Sequence, residues 1–430
     1  MGAISLFVPV ILTACSDDDS KDENLVKGDT NSEVCDNLPN WSVKSRNSSA
    51  VPLNLTSKES DAIAGNNQFS TNLLAKIRQA NENTLISPFS LQVALSMINN
   101  GANEQTQNVV NNALGLKGLT MEEINTMNGK ISASLNSELD STSFFETQNA
   151  VWVQEGKNVK KNYYDVIKNT YQASISNLDF TSPSASATID RWANEATHGL
   201  IPSLGLKFKE NTFAVISNAS YFKASWSSPF TSQIPSPFTK GDGSVENLGS
   251  YMLMTNSLPY VETDNYQAVR LPYGNKTFCM DVILPSANSS TTDLLRTIKW
   301  DDINFQTTKI HVVLPMFKSK NKFQMKEVLS EMGFGSLFST LLTNIASDVL
   351  LDQIQQDTYI EIDMEGTKAT AVTTGLLSER FISPDPSEVI PSFFANRPFI
   401  YAIRDAKTGL ILFLGEVVNP EIFNAQSAQQ

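Results

Sequence analysis

Apolar positions recur along this chain with two periods. From Thr56 the period is helical: Thr56-x-x-Glu59 has the form of a capping box, and Phe69, Leu73, Leu74 and Ile77 follow at spacings that share one helical face. Leu91, Ala94, Leu95 and Ile98 make a second stripe, and Ile189, Trp192, Ala193 and Ala196 a third. Later the pattern shortens. Phe213 to Phe222, Phe278 to Leu284 and Ile310 to Leu314 are apolar runs flanked by Pro, Gly and Asn, which predict buried strands. Tyr359-Ile360-Glu361-Ile362-Asp363 alternates, and Phe399 to Arg404 with Leu410 to Val417 predict a hairpin around Lys407-Thr408-Gly409. Helices are expected to dominate the first part and strands the second. With no internal repeat and no second linker, the pattern predicts one mixed α+β domain over 56–421, with a tail at 422–430.

The start of the chain follows neither period. Ile4 to Ala14 is almost wholly apolar, yet well short of the ~20 residues that a helix needs to cross a bilayer. A signal-peptide core over 1–15 fits better. It ends in Leu12-Thr13-Ala14-Cys15, which resembles the bacterial lipobox and makes Cys15 the expected lipidation site; no Lys or Arg precedes it, a departure from the usual basic leader. Ser16 to Asp36 then carries eight acids against two bases, resembling the export tag of surface lipoproteins in Bacteroides-like bacteria. Residues 16–55 are therefore expected to be an acidic, polar tether, with the protein at a bacterial cell surface or outer membrane, or extracellular.

Charge and composition then narrow the function. Lys+Arg 32 against Asp+Glu 45 gives −13, the wrong sign for a protein that neutralises phosphates, so nucleic acid and anionic membrane are poor partners and the lipid would be the only membrane contact. The three cysteines, Cys15, Cys35 and Cys279, form neither a disulfide framework nor a zinc pattern. No metal or cofactor is expected. The two histidines, His198 on an expected helix and His311 in an expected strand, have no marked Ser or Cys partner, so an enzyme ranks last and no catalytic residue is assigned.

Four ordered blocks are recognisable. They are Asn83-Thr-Leu-Ile-Ser87-Pro88-Phe-Ser90, Trp192-Ala-Asn194-Glu-Ala-Thr197-His-Gly199, Asn218-Ala-Ser-Tyr-Phe222-Lys223-Ala-Ser-Trp226, and the terminal stretch from Phe394-Ala-Asn396-Arg397-Pro398-Phe399 through Asp405, Thr408, Phe413 and Gly415 to Asn419-Pro420. Together they resemble the serpin family, over residues 58 to 421. The resemblance implies a large central five-stranded mixed sheet, two smaller sheets, about eight or nine helices and an exposed reactive-centre loop, here about 364–395. It also implies a monomeric protease inhibitor that acts by inserting its cleaved loop into the central sheet, with the stored strain of the native state as the driving force.

Insertion buries alternate loop positions, which must then be small and uncharged. In Glu365-Gly366-Thr367-Lys368-Ala369-Thr370-Ala371-Val372-Thr373-Thr374-Gly375, one face reads Thr367, Ala369, Ala371, Thr373, Gly375, and all are small. Family spacing from Gly366 places Arg380 before the cleaved bond and Phe381 after it; fourteen residues at ~3.3 Å each reach about 46 Å. Arg380 implies trypsin-like serine proteases as covalent partners, with Arg-cleaving cysteine proteases as a second class. The stretch from Arg380 to Asn396 is about seven residues longer than in typical relatives and holds Pro384, Pro386 and Pro391, so Phe381 or Leu377 and an elastase- or chymotrypsin-like target stay open.

The framework carries over by resemblance as well. Ser87, Ser90 and Asn218 match the polar cluster beneath the centre of the sheet, where the groups are expected to satisfy each other, and Gln356 stands at a relative's histidine. Trp226 matches the tryptophan where insertion starts, and Met316 and Met364 stand where relatives often carry a Lys/Glu pair, which predicts an apolar contact in place of a salt bridge. The competing reading is a non-inhibitory serpin, cleaved as a substrate or acting as a binding protein.

Overall fold

The structure, a computed structural model, describes residues 2–14, 25–26, 53–137, 142–367 and 390–420. The capping box forms as expected: Glu59 N–H donates to Thr56 Oγ1 at 3.2 Å and Thr56 N–H to Glu59 Oε2 at 2.7 Å, starting helix α1 (Ser57–Ile77). Phe69, Leu73 and Leu74 face the core. Helix α2 (Pro88–Asn99) opens with proline at its first position and is buried along its whole length. Helix α3 (Ser184–Ala196) buries Ile189, Trp192, Ala193 and Ala196, the stripe read from the sequence.

A seven-stranded mixed sheet is sandwiched between these helices. Its strands are β1 (Gly2–Ala14), β2 (Ser143–Gln154), β3 (Ser174–Leu178), β4 (Thr212–Ser225), β5 (Phe317–Gln324), β6 (Val349–Ile362) and β7 (Gly366–Thr367). They lie in the order β5-β6-β1-β4-β2-β3, with β7 paired to β4. Only β2 and β3 run parallel. Alternation along the strands divides the core. Ala214, Ile216 and Phe222 of β4 join α2 in the main cluster, whereas Val215 and Ala219 join Trp152 of β2 and the α3 stripe on the other face. Trp152 and Trp192 meet edge to face there, 5.2 Å between ring centroids.

Three expectations are corrected at this level. The central sheet has seven strands among the described residues, not five, because β1 fills the space between β6 and β4 and β7 adds a short piece at one end. In place of two smaller sheets there are a nine-stranded sheet and a two-stranded ribbon of Leu25–Val26 with Val159–Lys160; the long strand Val245–Glu262 pairs with Ser232–Thr239, Tyr266–Pro272 and Gln306–Pro315 and so joins what would otherwise be separate sheets. Strands β2 and β3 also interrupt the first half, which periodicity assigned to helices. Among the described residues there are nine α-helical segments; Lys326–Leu329 and Gly335–Ser339 are the ends of one stretch kinked at Gly333, whose φ is 100°.

The terminal hairpin pairs Phe399–Asp405 with Ile411–Val417 inside the nine-stranded sheet. It is held by charge as well as by apolar packing. Arg270 grips buried Asp281 with two bonds of 2.6 and 2.8 Å, and Arg404 reaches the same carboxylate at 3.2 Å. Arg78, just past α1, grips buried Glu416 at 2.5 and 2.7 Å. Cys279 lies in this sheet as a buried free thiol whose pKa burial pushes up.

Candidate functional site: the cleft of the central sheet

The cleft lies between β4 and β6, and its upper end is built from the residues after β4. Trp226 donates its indole N–H to the Asp363 carbonyl at 3.0 Å and its backbone N–H to the Glu365 carbonyl at 2.9 Å. The indole stacks on Tyr273, 4.4 Å between centroids and 13° between planes, and Phe222 packs edge-on against the same tyrosine. The Tyr273 hydroxyl in turn lies 2.9 Å from Thr367 Oγ1. This aromatic stack therefore ties the start of the loop to the top of β4 without charge.

The turn into the loop is made by Asp363, whose Oδ1 accepts from Glu365 N–H at 2.9 Å and Gly366 N–H at 3.1 Å. Burial pushes its carboxyl pKa up. Gly366 has φ of 151°, and a Cβ there would sit 2.1 Å from the Ala224 carbonyl oxygen, so only glycine fits this approach. Gly366 then pairs with Ser225, and Thr367, fully buried, with Ala224.

Below, the polar cluster divides into separate bonds rather than one mutual network. Ser87 Oγ donates to the Leu412 carbonyl at 2.7 Å, and Gln356 Nε2 to the Ser87 carbonyl at 3.1 Å. Ser90 Oγ lies 2.6 Å from Ser220 Oγ. Asn218 Nδ2 donates to Asn149 Oδ1 at 2.8 Å, and Asn149 donates to the Tyr171 carbonyl. The expectation that Ser87, Ser90 and Asn218 satisfy each other is thus corrected: they face different elements, and Ser220, Asn149, Tyr273 and Thr358, which donates to the Leu85 carbonyl, belong to the cleft although no local signal marks them. Asn218 Oδ1 and Ser217 Oγ are buried with no hydrogen-bond partner among the described residues.

Met316 and Met364 are both half-buried against the main core. Arg380, Phe381, Ala369, Ala371 and Thr373 lie outside the described residues, as do Cys15 and Cys35. His198 sits just beyond the end of α3 with φ of 50°, not on the helix, and pairs with Glu146 at 3.2 Å; His311 Nδ1 lies 2.7 Å from Thr255 Oγ1.

The strand that fills the cleft is β1. It pairs with β4 without interruption from Gly2↔Ala224 to Leu12↔Ala214, and with β6 from Ser5↔Tyr359 to Ala14↔Val349. Val8 and Leu12 enter the main core and Ile11 the opposite cluster. A strand covered on both faces needs an unbroken apolar run, the same pattern that reads as a signal-peptide core.

The family described as serpin, a serine protease inhibitor family, matches residues 64–420. An uncharacterised serpin-like protein of Thermococcus kodakarensis is 29% identical over 382 residues, covering 85% of this chain and 87% of its own. Neuroserpin of Gallus gallus is 26% identical over 381 residues, covering 83% and 91%. Among solved structures, the thermophilic serpin tengpin in its native state superposes with a TM-score of 0.73 at 26% identity, covering 85% of this chain and 95% of that one.

Proposed function

The chain belongs to the serpin family, and from that premise we propose that it is a suicide-substrate inhibitor of serine proteases, with Arg380–Phe381 as the bait bond. The observation that carries this reading is the hinge. Gly366 and Thr367 are already hydrogen-bonded onto β4 beside Trp226 and Tyr273, and the sequence that follows alternates small residues on the face Thr367, Ala369, Ala371, Thr373, Gly375. A bulky or charged residue on that face would block insertion; none is there.

In this reading the serine hydroxyl of the protease attacks the Arg380 carbonyl, the amine of Phe381 leaves, and an ester joins enzyme to loop. The freed loop end then adds to the central sheet as a strand and carries the acyl-enzyme with it before water can cleave the ester. An acidic specificity pocket would select Arg380 through a charge-assisted bond. Lipid on Cys15 would hold the inhibitor at a cell surface, a reading supported by Leu12-Thr13-Ala14-Cys15 and the acids after it.

Mixing the protein with trypsin and running a denaturing gel tests the proposal. A detergent-stable adduct, with a released fragment beginning at Phe381, is the expected result. An adduct with another fragment start moves the bait bond to that position. Complete cleavage without adduct, repeated with elastase- and chymotrypsin-like enzymes, overturns inhibition in favour of a protein that is only cut.

A further inference from the structure

The hinge and the N-terminal strand compete for one edge. Thr367 and Gly2 are both in register with Ala224 of β4, and both strands run antiparallel to it. β7 therefore stops where β1 begins. Extending the register fixed at Thr367, residue 367 plus k falls opposite residue 224 minus k, which is the line that Gly2 to Leu12 occupies. We propose that β1 is an in-cis plug of the central sheet: it holds the insertion cleft, and the loop enters only when β1 leaves.

Two observations mark β1 as the poorer occupant. Pro9 supplies no N–H, and the pairing with β6 breaks there, running to Phe7↔Asp357 and resuming at Val10↔Ile354. The unpartnered Asn218 Oδ1 and Ser217 Oγ lie opposite Val8 and Pro9, neither of which has a side-chain donor. Were the register to extend past Thr367, those places would fall to Thr373 and Thr374, which unlike Val8 and Pro9 carry hydroxyl donors. The stretch from Thr367 to Leu377 contains no proline, so its ladder would be unbroken. The cleft is thus chemically matched to the loop and held by a weaker, apolar substitute.

The plug also ends at an informative place. β1 finishes at Ala14, and Cys15 follows. Hydrolysis of the Ala14–Cys15 bond by a peptidase, with water supplying the new carboxylate oxygen and the amine proton, would sever the strand from the rest of the chain, leaving only its pairing and packing to hold it between β4 and β6. Removal of a leader would then double as the step that frees β1 to leave the cleft.

This inference rests on the inhibitor reading for its consequence, but its test does not. The full chain is compared with Val8→Asp/Leu12→Asp, which places charge at two positions buried in the main core, and with Pro9→Ala, which restores the missing donor. The probe is a fluorescent peptide with the sequence of Thr367 to Leu377. The aspartate variant is expected to take up the peptide about tenfold faster than the unmodified chain, and Pro9→Ala more slowly than it, while hydrogen exchange shows the amides of residues 2–14 protected in the unmodified chain. Unprotected amides in that segment overturn the plug, as does uptake unchanged in both variants. If the aspartate variant fails to fold, Pro9→Ala carries the comparison alone, and equal uptake overturns the plug. A variant that takes up peptide but never forms a trypsin adduct leaves the plug standing and removes the inhibitor reading instead.

Discussion

The molecule closes its two large sheets in different ways. In the nine-stranded sheet the hairpin Phe399–Asp405 and Ile411–Val417 is packed on both faces, and buried charges on it and on the adjacent strand Phe278–Pro285 are paired: Asp281 with Arg270 and Arg404, Glu416 with Arg78. In the central sheet the strand between β4 and β6 comes from the far end of the chain, is broken against β6 around Pro9, and leaves Asn218 Oδ1 and Ser217 Oγ without partners among the described residues. The first arrangement is costly to open at any point. The second keeps most of a strand's burial and gives up part of its hydrogen bonding, which suits the strand exchange proposed for this cleft.

The largest effect should come from breaking the closed region. Asp281→Ala leaves two arginines facing an empty buried site and should destabilise the protein by about 3–5 kcal/mol, read as a lower midpoint in urea unfolding. In the cleft, the corresponding handle is pH. Burial pushes the Asp357 carboxyl on β6 up to about 6, from 3.8. Between those values the folded protein keeps a proton that the unfolded chain has released, so the contribution of this carboxyl to stability is fullest below pH 4, falls as pH rises to about 6 and then levels off. Asp357→Asn should remove this slope and stabilise the protein by about 2–3 kcal/mol at pH 7.5, with no gain at pH 4. A melting temperature that rises equally at both pH values would contradict the assignment.

Gly366→Ala sharpens the comparison at the hinge. A methyl group 2.1 Å from the Ala224 carbonyl cannot be seated, so β7 should detach at a cost of about 1–3 kcal/mol. The ratio of adduct to cut protein with trypsin should fall, while binding of the protease to the uncut loop is unchanged. Ser90→Ala should have the smallest effect, about 1 kcal/mol, by removing the buried bond to Ser220. A larger loss would mean that Ser220 is coupled to further groups of the cleft.

Much of the fold was legible because its signals are local. The capping box, the three helical stripes and the hairpin turn at Gly409, whose φ is 72°, each depend on residues a few positions apart. Of the hinge, only Gly366 and Thr367 lie among the described residues, where they pair with Ser225 and Ala224. The polar cluster was legible in part of its membership, Ser87, Ser90, Asn218 and Gln356 all being buried, and not in its wiring. Ser90 finds Ser220 across 130 residues, and Tyr273 finds Thr367 across 94, and no spacing within either segment encodes the partner.

By itself, then, the chain's sequence determined the α+β class, the first two long helices with the α3 stripe, the terminal hairpin and the family, because each is written in short-range periodicity or in an ordered set of motifs. Tertiary structure alone decided which carboxylates would be buried against arginine, how Ser87 and Ser90 of the polar cluster would be paired, and where Gly2–Ala14 would sit. A short apolar run has the same composition whether it is exported as a leader or buried on both faces of a sheet. Only the edges of β4 and β6, brought side by side by contacts distant in sequence, supply the hydrogen bonds that make it a strand.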